Sequence, residues 1–417
     1  MKKRFVLPVA TFAVLLGAQR LTVSSMQVRR PPAPPAHSPI VSPWGSMRLE
    51  SDMAQHDAGL EDSILLSIQQ EVPGGFDPDQ DGTNEYAILV LSGGGSAGAF
   101  GAGLLNGWTR AGTRPDFKVV TGVSAGALQS TFAFLGPDYD TPLTEVFTLF
   151  GGDDIYTRRH FLKALISDAA FDTAPLEALI RQYVTPGVLA AVARKHLRGH
   201  RLFMGTTNMD TGEFIIWDMG AIASSDRSDK LRRYQQVLLA SASIPILFPP
   251  VYLDVEIDGT TYHQMHMDGG THSQLFLRGF MLDLQDSFQA GDPAEGPEVS
   301  LYVIRNGTIN EDHTHRPVEA SSLKIATATI HSAFEQSNDT SLFRVYTLAG
   351  RYGMDFNMAA IPDGLFPELD PVIFDLATMR KVYDYGLDQG SKGYEWAQSP
   401  PGLDQDEIIV PAGNRAE

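Results

Sequence analysis

The chain has 417 residues, 43% hydrophobic and 20% charged, which is enough for one large globular domain or two ordinary ones. It carries 50 acidic and 32 basic side chains, and because seven of the basic ones lie in residues 1–49, the remainder has a formal net charge of −25. That charge disfavours nucleic acid as a partner. The absence of cysteine excludes disulfides, thiolate metal sites and a cysteine nucleophile.

The N-terminus has the layout of an export signal. Three basic residues, 2–4, precede the apolar stretch 5–18, which is too short for a comfortable transmembrane helix. Gln19 stands where a bacterial lipoprotein has its lipidated cysteine, so lipid anchoring there is impossible. We predict a signal peptide or N-terminal apolar segment over residues 1–25. The protein is then exported and released to the periplasm or outside, or retained at the membrane by an uncleaved segment; a cytosolic protein is the alternative.

Residues 26–83 predict a proline-rich linker and a pre-domain segment. The run Pro-Pro-Ala-Pro-Pro at 31–35 is typical of a semi-extended spacer. Apolar positions within 60–68 fall on one face of a short helix. Alternate aspartates at 77–81 resemble the first half of a calcium loop, but Ile88 stands where its bidentate glutamate belongs, so we interpret them as a turn.

The stretch 86–126 predicts two buried strands, each followed by a turn and a helix. The apolar runs 87–91 and 117–120 are short and bounded by glycine. The first ends in Ser-Gly-Gly-Gly-Ser-Ala-Gly, whose backbone N–H groups at a helix N-terminus suit an anion. The second ends in Gly-Val-Ser-Ala-Gly, a Gly-x-Ser-x-Gly turn that presents the hydroxyl of Ser124 at a strand end.

The glycine turn has two competing uses. Residues 93–98 match the Gly-x-Gly-x-x-Gly of dinucleotide sites, but that site needs an acidic residue at the end of the next strand. The next strand ends in the turn of Ser124 instead. The sequence therefore favours an oxyanion hole for a tetrahedral intermediate on Ser124, and it indicates no cofactor.

The remaining predicted elements alternate between helices and strands without an internal repeat. In chain order they are short helices over 141–184, a helix at 188–197, hairpins at 201–208 with 213–218 and at 251–257 with 260–267, a helix at 234–241 between the hairpins, a strand at 299–305, a helix at 321–337, a strand at 342–348 and a helix at 376–393. This order predicts an α/β domain over residues 84–398, a three-layer α/β/α sandwich with a mainly parallel central sheet plus antiparallel hairpins. Residues 399–417 are predicted as a tail.

Asp268, followed by Gly269 and Gly270, ends the second hairpin and alone indicates only a turn. Together, the glycine turn, the Gly-x-Ser-x-Gly about thirty residues later and this Asp-Gly-Gly resemble the patatin-like phospholipase family. The segment 240–250, Ala-Ser-Ala-Ser-Ile-Pro-Ile-Leu-Phe-Pro-Pro, is also similar to that family. The resemblance spans about residues 86–275.

The resemblance implies a patatin-like fold and a serine acyl hydrolase for carboxylic esters of lipids, a phospholipase, lysophospholipase or esterase. It implies that Ser124 attacks the ester and that Asp268 is the base. The resemblance also implies backbone roles for seven glycines. These are Gly93, Gly94 and Gly95 at the oxyanion hole, Gly122 and Gly126 at the elbow, and Gly269 and Gly270 after the aspartate. The implied partners are a lipid or other acyl-ester substrate and, transiently, a membrane or lipid aggregate.

Two positions depart from the family pattern. Ser92 stands where the glycine turn usually opens with aspartate, and Ala97 stands where arginine or lysine is usual. Because this charge is missing, an alternative stays open: the chain is a non-catalytic envelope protein that uses a degenerate acyl-hydrolase fold for binding.

Histidines leave two further alternatives. A Ser-His-Asp esterase needs a histidine after the aspartate, and four qualify by position alone: His272, His313, His315 and His331. A metal site is suggested by His263, His266 and His272 near Asp268, but strand alternation places His263 on the opposite face from His266. We prefer a Ser–Asp dyad without a metal.

Overall fold

The computed structural model of the chain describes residues 30–36, 42–50, 58–71, 75–76, 85–159, 167–278, 298–309 and 317–403. The predicted export signal, the aspartate run at 77–81 and residues 404–417 of the tail lie outside the described residues. Within the described ranges, no helix combines the length and the apolarity needed to span a bilayer.

A nine-stranded sheet forms the centre of the domain. Its order is β1-β7-β6-β3-β2-β10-β11, while β9 pairs with both β6 and β8, and β4 pairs with β5 in a separate small sheet. The strands are β1 Arg48–Glu50, β2 Glu85–Leu91, β3 Val119–Gly122, β4 Thr157–Arg158, β5 Phe171–Asp172, β6 Arg201–Asn208, β7 Glu213–Asp218, β8 Val251–Ile257, β9 Thr260–Asp268, β10 Glu298–Thr308 and β11 Asp355–Ile361.

Helices cover both faces of this sheet. They are α1 Ala58–Gln70, α2 Gly98–Ala111, α3 Ala125–Leu135, α4 Asp140–Thr148, α5 Gly152–Ile155, α6 Ala174–Tyr183, α7 Pro186–His196, α8 Met219–Ser224, α9 Lys230–Ser241, α10 Ser322–Arg351 and α11 Leu376–Ser391. Short 3₁₀ turns lie at Gly45–Met47, Gly95–Ala97, Pro137–Tyr139 and Gly269–Thr271.

The predicted α/β fold class is confirmed, with a sheet of mixed direction. The five neighbouring strands β6, β3, β2, β10 and β11 run parallel to one another. The two predicted hairpins, β6–β7 and β8–β9, are antiparallel, and β1 adds an antiparallel strand beside β7. The parallel half brings several strand ends to one edge, which is where α/β domains place their sites.

Alternation along β2 divides the interior into two cores. Leu89 and Leu91 belong to the larger core, which includes side chains of α2, α3 and α11. Ile88 and Val90 point the other way, into the core beneath α1 and α10. A strand covered on both faces needs a continuous apolar sequence, which explains the unbroken apolar run that predicts it.

The described part of the pre-domain segment packs on the domain. The guanidinium of Arg30 donates to both carboxylate oxygens of Asp210 at 2.5 Å, and the N–H of His263 donates to the carbonyl of Pro32 at 2.9 Å. Trp44 is 2% exposed within the larger core. The residues predicted as a spacer are therefore bound to the domain where the structure describes them.

One predicted strand is wrong, and several observed elements are not predicted: β1, β4, β5, β11 and α8. The predicted strand at 342–348 is wrong, because these residues belong to α10. Their β-branched and aromatic side chains favour a strand, but the buried positions recur at helical spacing: Leu342, Val345, Tyr346 and Ala349. The sequence also does not predict β11, whose Asn-Met-Ala-Ala interior lacks β-branched residues.

Candidate active site

Ser124 occupies the sharp turn between β3 and α3. Its backbone has φ 55° and ψ −123°, a strained region that non-glycine residues rarely adopt. The turn leaves no room for side chains beside it: a Cβ on Gly122 would lie 2.5 Å from the carbonyl oxygen of Gly126, and one on Gly126 would lie 2.3 Å from that of Leu91. The serine is thus held at the carboxyl edge of the sheet and at the N-terminus of a helix.

Ser241 on α9 holds the strained turn in place. No sequence motif identifies this residue. The N–H of Ser124 donates to Ser241 Oγ at 3.0 Å, and that hydroxyl donates to the carbonyl oxygen of Gly205 on β6 at 2.7 Å. Ser241 is fully buried. A single hydroxyl therefore fixes the elbow against both α9 and β6.

Replacing Ser241 by alanine is expected to loosen the elbow. The Ser124 N–H and the Gly205 carbonyl both lose a buried partner, so we expect a drop of about 1–3 kcal/mol in the free energy of unfolding. We also expect kcat/KM for a soluble ester to fall about 10-fold, because misplacing a nucleophile costs rate. Urea unfolding and steady-state kinetics measure the two effects.

The matched control is Ser243→Ala, two residues further along. Ser243 is equally buried, but its hydroxyl donates to the carbonyl of Leu239. Its backbone carbonyl accepts the N–H of Asp268 at 2.9 Å, a bond that alanine keeps. We expect that variant to keep kcat/KM. A Ser241→Ala protein that is destabilised but fully active would show that Ser241 supports the fold and not the nucleophile.

The register of β6 explains why Asp268 comes next to Ser124. Met204 on β6 pairs with Gly122, the last residue of β3, and two residues later Thr206 pairs with Asp268. Strand β9 therefore takes the place beside β6 that β3 leaves when it turns into α3. The end of β9 meets the elbow that follows the end of β3, although the two are far apart in sequence.

Burial dominates the electrostatics of Asp268. The side chain is fully buried, and this desolvation raises its pKa to about 7 even though the Ser124 hydroxyl and the Gly270 N–H act on it as donors. Oδ1 accepts the Gly270 N–H at 2.8 Å, whereas Oδ2 has no hydrogen-bond partner among the described residues. Ser124 is thus close enough to lower the pKa without a fully formed hydrogen bond, as is common in ligand-free catalytic sites.

The glycine turn lies directly against Ser124, but its three glycines differ. A Cβ on Gly93 would lie 3.1 Å from Ser124 Cβ, yet the Gly93 N–H donates to the carbonyl oxygen of Gln274 at 2.9 Å. Within the described residues, the N–H groups of Gly94 and Gly95 have no acceptor. In this conformation the N–H groups of Gly94 and Gly95 are free to donate, whereas that of Gly93 is bonded to the chain that follows Asp268. The oxyanion hole at Gly93, Gly94 and Gly95 stays a prediction.

Close backbone contacts explain why these two positions are glycine. A Cβ on Gly94 would lie 1.7 Å from the carbonyl oxygen of Asn306, and one on Gly95 would lie 1.9 Å from that of Pro371. Gly95 also has φ +54°, in the left-handed region. The turn is therefore shaped by backbone from two distant segments that the sequence motif does not reveal.

Both positions that depart from the family pattern, Ser92 and Ala97, are enclosed by the protein. The hydroxyl of Ser92 is buried, donating to the carbonyl of Gly93 at 2.6 Å and accepting the Asn306 N–H at 2.8 Å. Ala97 has no exposed surface and lies in the larger core. The space that a charged side chain would need at either position is filled by the protein itself.

An apolar pocket opens beside Ser124. Its empty space, counted out to its mouth, is about 870 Å³, and it is walled mainly by aliphatic and aromatic side chains of α3, α4, α5, α6, α9 and α11. Of the hydroxyls in its lining, that of Thr131 bonds to Tyr234 and that of Tyr183 to Glu145. Ser124 and the backbone of Gly95 supply polar groups to the lining.

No described histidine lines the pocket beside Ser124, and His331 lies on α10. His266 is buried two residues before Asp268, but its Nδ1 bonds to Thr206 Oγ1 at 3.0 Å. His263 bonds to Asp254 at 2.9 Å, and the ring of His272 packs near that of Phe214. Two candidates for a triad, His313 and His315, lie outside the described residues. Across the described ranges, no group of three or more potential metal ligands comes together.

Comparisons with known proteins give one family match and a similar solved structure. Residues 89–281 match the family model described as patatin-like phospholipase. The comparison with curated proteins gives no match. Among solved structures, this chain is similar to the crystal structure of VipD from Legionella pneumophila, with 13% identity, a TM-score of 0.35 and coverage of 74% of this chain. The chain spans 66% of the length of the VipD chain. The match to the patatin-like phospholipase model thus covers residues 89–281, just under half of the chain.

Proposed function

We propose that the protein is a serine acyl hydrolase that cleaves carboxylic esters of lipids through a dyad of Ser124 and Asp268. Patatin-like phospholipases are in general lipid acyl hydrolases, which supports the class of reaction. The observation that carries the proposal for this chain is the position of Ser124. Its hydroxyl lies at the polar end of an apolar pocket, beside a buried carboxyl group whose pKa is raised to about 7.

The dyad accounts for both proton transfers. Ser124 Oγ attacks the ester carbonyl carbon while its proton passes to the carboxylate of Asp268. The tetrahedral intermediate collapses, the alcohol leaves with that proton, and an acyl-enzyme remains. Water then attacks the acyl group, again giving a proton to Asp268, which returns it to Ser124 as the fatty acid departs. A base with a pKa near neutrality suits both steps.

Charge on the carbonyl oxygen is stabilised by backbone groups. The N–H groups of Gly94 and Gly95 are the donors left without an acceptor in the glycine turn, and the N-terminus of α3 adds a favourable partial charge. No charged side chain is needed for this stabilisation. The departures at Ser92 and Ala97 therefore do not argue against catalysis.

The pocket supports a lipid as the source of the acyl group. Its walls offer apolar surface to a hydrocarbon chain. A polar acyl group would leave its own hydrogen-bonding groups unpaired there.

A fluorophosphonate probe tests the proposal with the folded protein. We expect covalent labelling of the wild type at Ser124 and none in a Ser124→Ala variant, whose midpoint of urea unfolding stays near that of the wild type. Esterase activity towards soluble esters should disappear with the labelling. A folded wild type that neither reacts with the probe nor hydrolyses any ester would favour the alternative, a binding protein on an acyl-hydrolase fold.

A Ser-His-Asp esterase makes a different prediction. Variants that replace His272, His313, His315 and His331 one at a time by alanine would each keep activity if the dyad operates. Loss of labelling in any one of them would assign that histidine as the base instead of Asp268.

We infer from the sequence that the protein acts outside the cytoplasm. The basic residues 2–4 and the apolar stretch 5–18 support export. Fractionation with N-terminal sequencing tests this: a protein that begins at an intact Met1 in the cytosolic fraction would contradict it.

A further inference from the structure

Three exposed apolar side chains lie around the pocket and have no evident role inside it. Leu149, Ile246 and Ile373 are 51%, 37% and 56% exposed. We call these three residues the apolar rim. They belong to three separate segments of the chain, and single exposed apolar residues are common on protein surfaces, so their significance depends on where they meet.

Each rim residue is adjacent in sequence to residues that line the pocket. Leu149 precedes Phe150, and Ile373 precedes Phe374, both of which line the pocket. Ile246 lies between two others, at the centre of the segment 244–248. The chain therefore alternates between a side chain that faces the pocket and one that faces solvent.

Contacts beneath the rim bring the three segments together. The ring of Tyr156 lies 5.8 Å from that of Phe248 and 6.1 Å from that of Phe374. The N–H of Gly152, three residues after Leu149, donates to the carbonyl of Phe374 at 2.9 Å. The three exposed residues consequently share one side of the pocket.

The backbone at Ile246 is strained. Its φ is +69°, a left-handed conformation in which a β-branched residue is an outlier. Hydrogen bonds hold the loop in place: the N–H groups of Ala170 and Phe171 donate to the carbonyls of Ile246 and Leu247, both at 2.9 Å. Strain of this kind persists where the surrounding structure fixes it and is concentrated at functional sites. Here it sets an exposed isoleucine at the edge of the pocket.

We propose that the apolar rim docks the protein on a zwitterionic lipid surface, so that an acyl chain passes from the aggregate into the pocket. This inference rests on the proposed function. A lipid acyl chain must leave its aggregate to reach Ser124, and an apolar border continuous with the apolar pocket shortens its exposure to water.

Charge favours a zwitterionic over an anionic surface. The chain has a formal net charge of −18, which repels anionic lipid. Beside the rim, Arg159 is already paired with Asp168 at 2.8 Å. The acidic pair Asp153 and Asp154 on α5 lies next to the rim residues. Single basic side chains also lie near the rim, since Arg158 is exposed on β4 and Arg380 donates to the carbonyl of Thr148 at 2.8 Å. The preference for a zwitterionic surface therefore rests on the net negative charge of the chain and on the acidic pair.

The test separates docking from catalysis. Binding is measured by co-sedimentation with phosphatidylcholine vesicles, using Ser124→Ala protein so that no lipid is consumed. The rim variant is Ile246→Asn with Ile373→Ser; asparagine tolerates a left-handed backbone, so the loop keeps its conformation. Leu197→Ser is the control, because Leu197 is 60% exposed at the end of α7 and does not line the pocket.

We expect the rim variant to bind phosphatidylcholine vesicles about 10-fold more weakly, the effect of roughly 1.4 kcal/mol of lost burial, and the control to bind normally. With Ser124 intact, the rim variant should hydrolyse dispersed phosphatidylcholine about 10-fold more slowly but a soluble monomeric ester at an unchanged rate. Equal binding by both variants overturns the proposal, as does wild-type binding to anionic vesicles alone. If no ester is hydrolysed but rim-dependent binding persists, the docking surface stands and the hydrolase function fails.

Discussion

Replacing Asp268 by asparagine is expected to lower kcat/KM by about 10³-fold. The same change should make the folded variant more stable, relative to the wild type, above neutral pH. The loss of activity follows because asparagine cannot take the proton of Ser124. The shape of the side chain is kept, and its oxygen can still accept the Gly270 N–H. In the wild type, kcat/KM should rise with pH around a midpoint near 7, since burial raises the pKa of the base to about that value and only the ionised form accepts a proton.

The change in stability follows from the same pKa. The ordinary value for aspartate is 3.8, and burial raises the pKa of Asp268 in the folded state to about 7. Between these values the folded protein holds a proton that the unfolded chain has released, so wild-type stability falls as pH rises through about 7. Below the ordinary pKa of 3.8, this contribution of Asp268 to wild-type stability is fully present. Asparagine cannot ionise, so the stability of the Asp268→Asn variant lacks this dependence on pH.

Urea unfolding of both proteins at about pH 5 and about pH 8 measures the effect. We expect the free energy of unfolding of Asp268→Asn, relative to the wild type, to grow by roughly 2–3 kcal/mol between the two conditions. Asp138→Asn is the control, since this carboxyl is exposed in the turn Pro137–Tyr139 and pairs with no histidine among the described residues. A relative stability that is the same at both pH values, or a variant that keeps a tenth of wild-type activity, would contradict the assignment of Asp268.

The parts of the site that the sequence predicts are those encoded locally. A glycine turn after an apolar run and a Gly-x-Ser-x-Gly after another predict strand ends and helix starts, because the residues that shape each turn are neighbours in the chain. The two hairpins were predictable for the same reason, with turn residues between alternating runs. The strand bounds at β6 and β7 match the prediction to the residue.

The parts that the sequence does not predict are contacts between distant segments. The bond from Ser124 to Ser241 joins residues 117 positions apart, and nothing in the surrounding sequence distinguishes that serine from its neighbours. The use of the Gly93 N–H by Gln274 depends equally on how the chain after Asp268 crosses back beneath the glycine turn. Long-range packing also explains why residues 342–348 are helical in α10, since their burial in the folded protein overrides a local preference for strand.

The second large effect concerns the pocket. We expect Leu128→Trp to change the enzyme's preference for the length of the acyl chain. Leu128 lines the pocket and lies four residues after Ser124, so it is one helical turn, or about 6 Å, from the nucleophile. A tryptophan there should fill the space beyond the first few carbons of an acyl chain. We expect kcat/KM for a hexadecanoyl ester to fall about 100-fold, because each methylene that can no longer be buried loses roughly 0.8 kcal/mol and four of them suffice.

The measurement is a series of soluble esters from butanoyl to hexadecanoyl. A butanoyl ester ends before the tryptophan, so its kcat/KM should change by less than about 3-fold. Leu128→Met is the control, since it nearly conserves volume and should leave the whole series unchanged. The open pocket accepts the larger ring, so the cost in stability should stay below the roughly 1–3 kcal/mol typical of overpacked cores. An equal loss for butanoyl and hexadecanoyl esters would show that the acyl chain does not occupy this pocket, because blocking the pocket must act on long chains first.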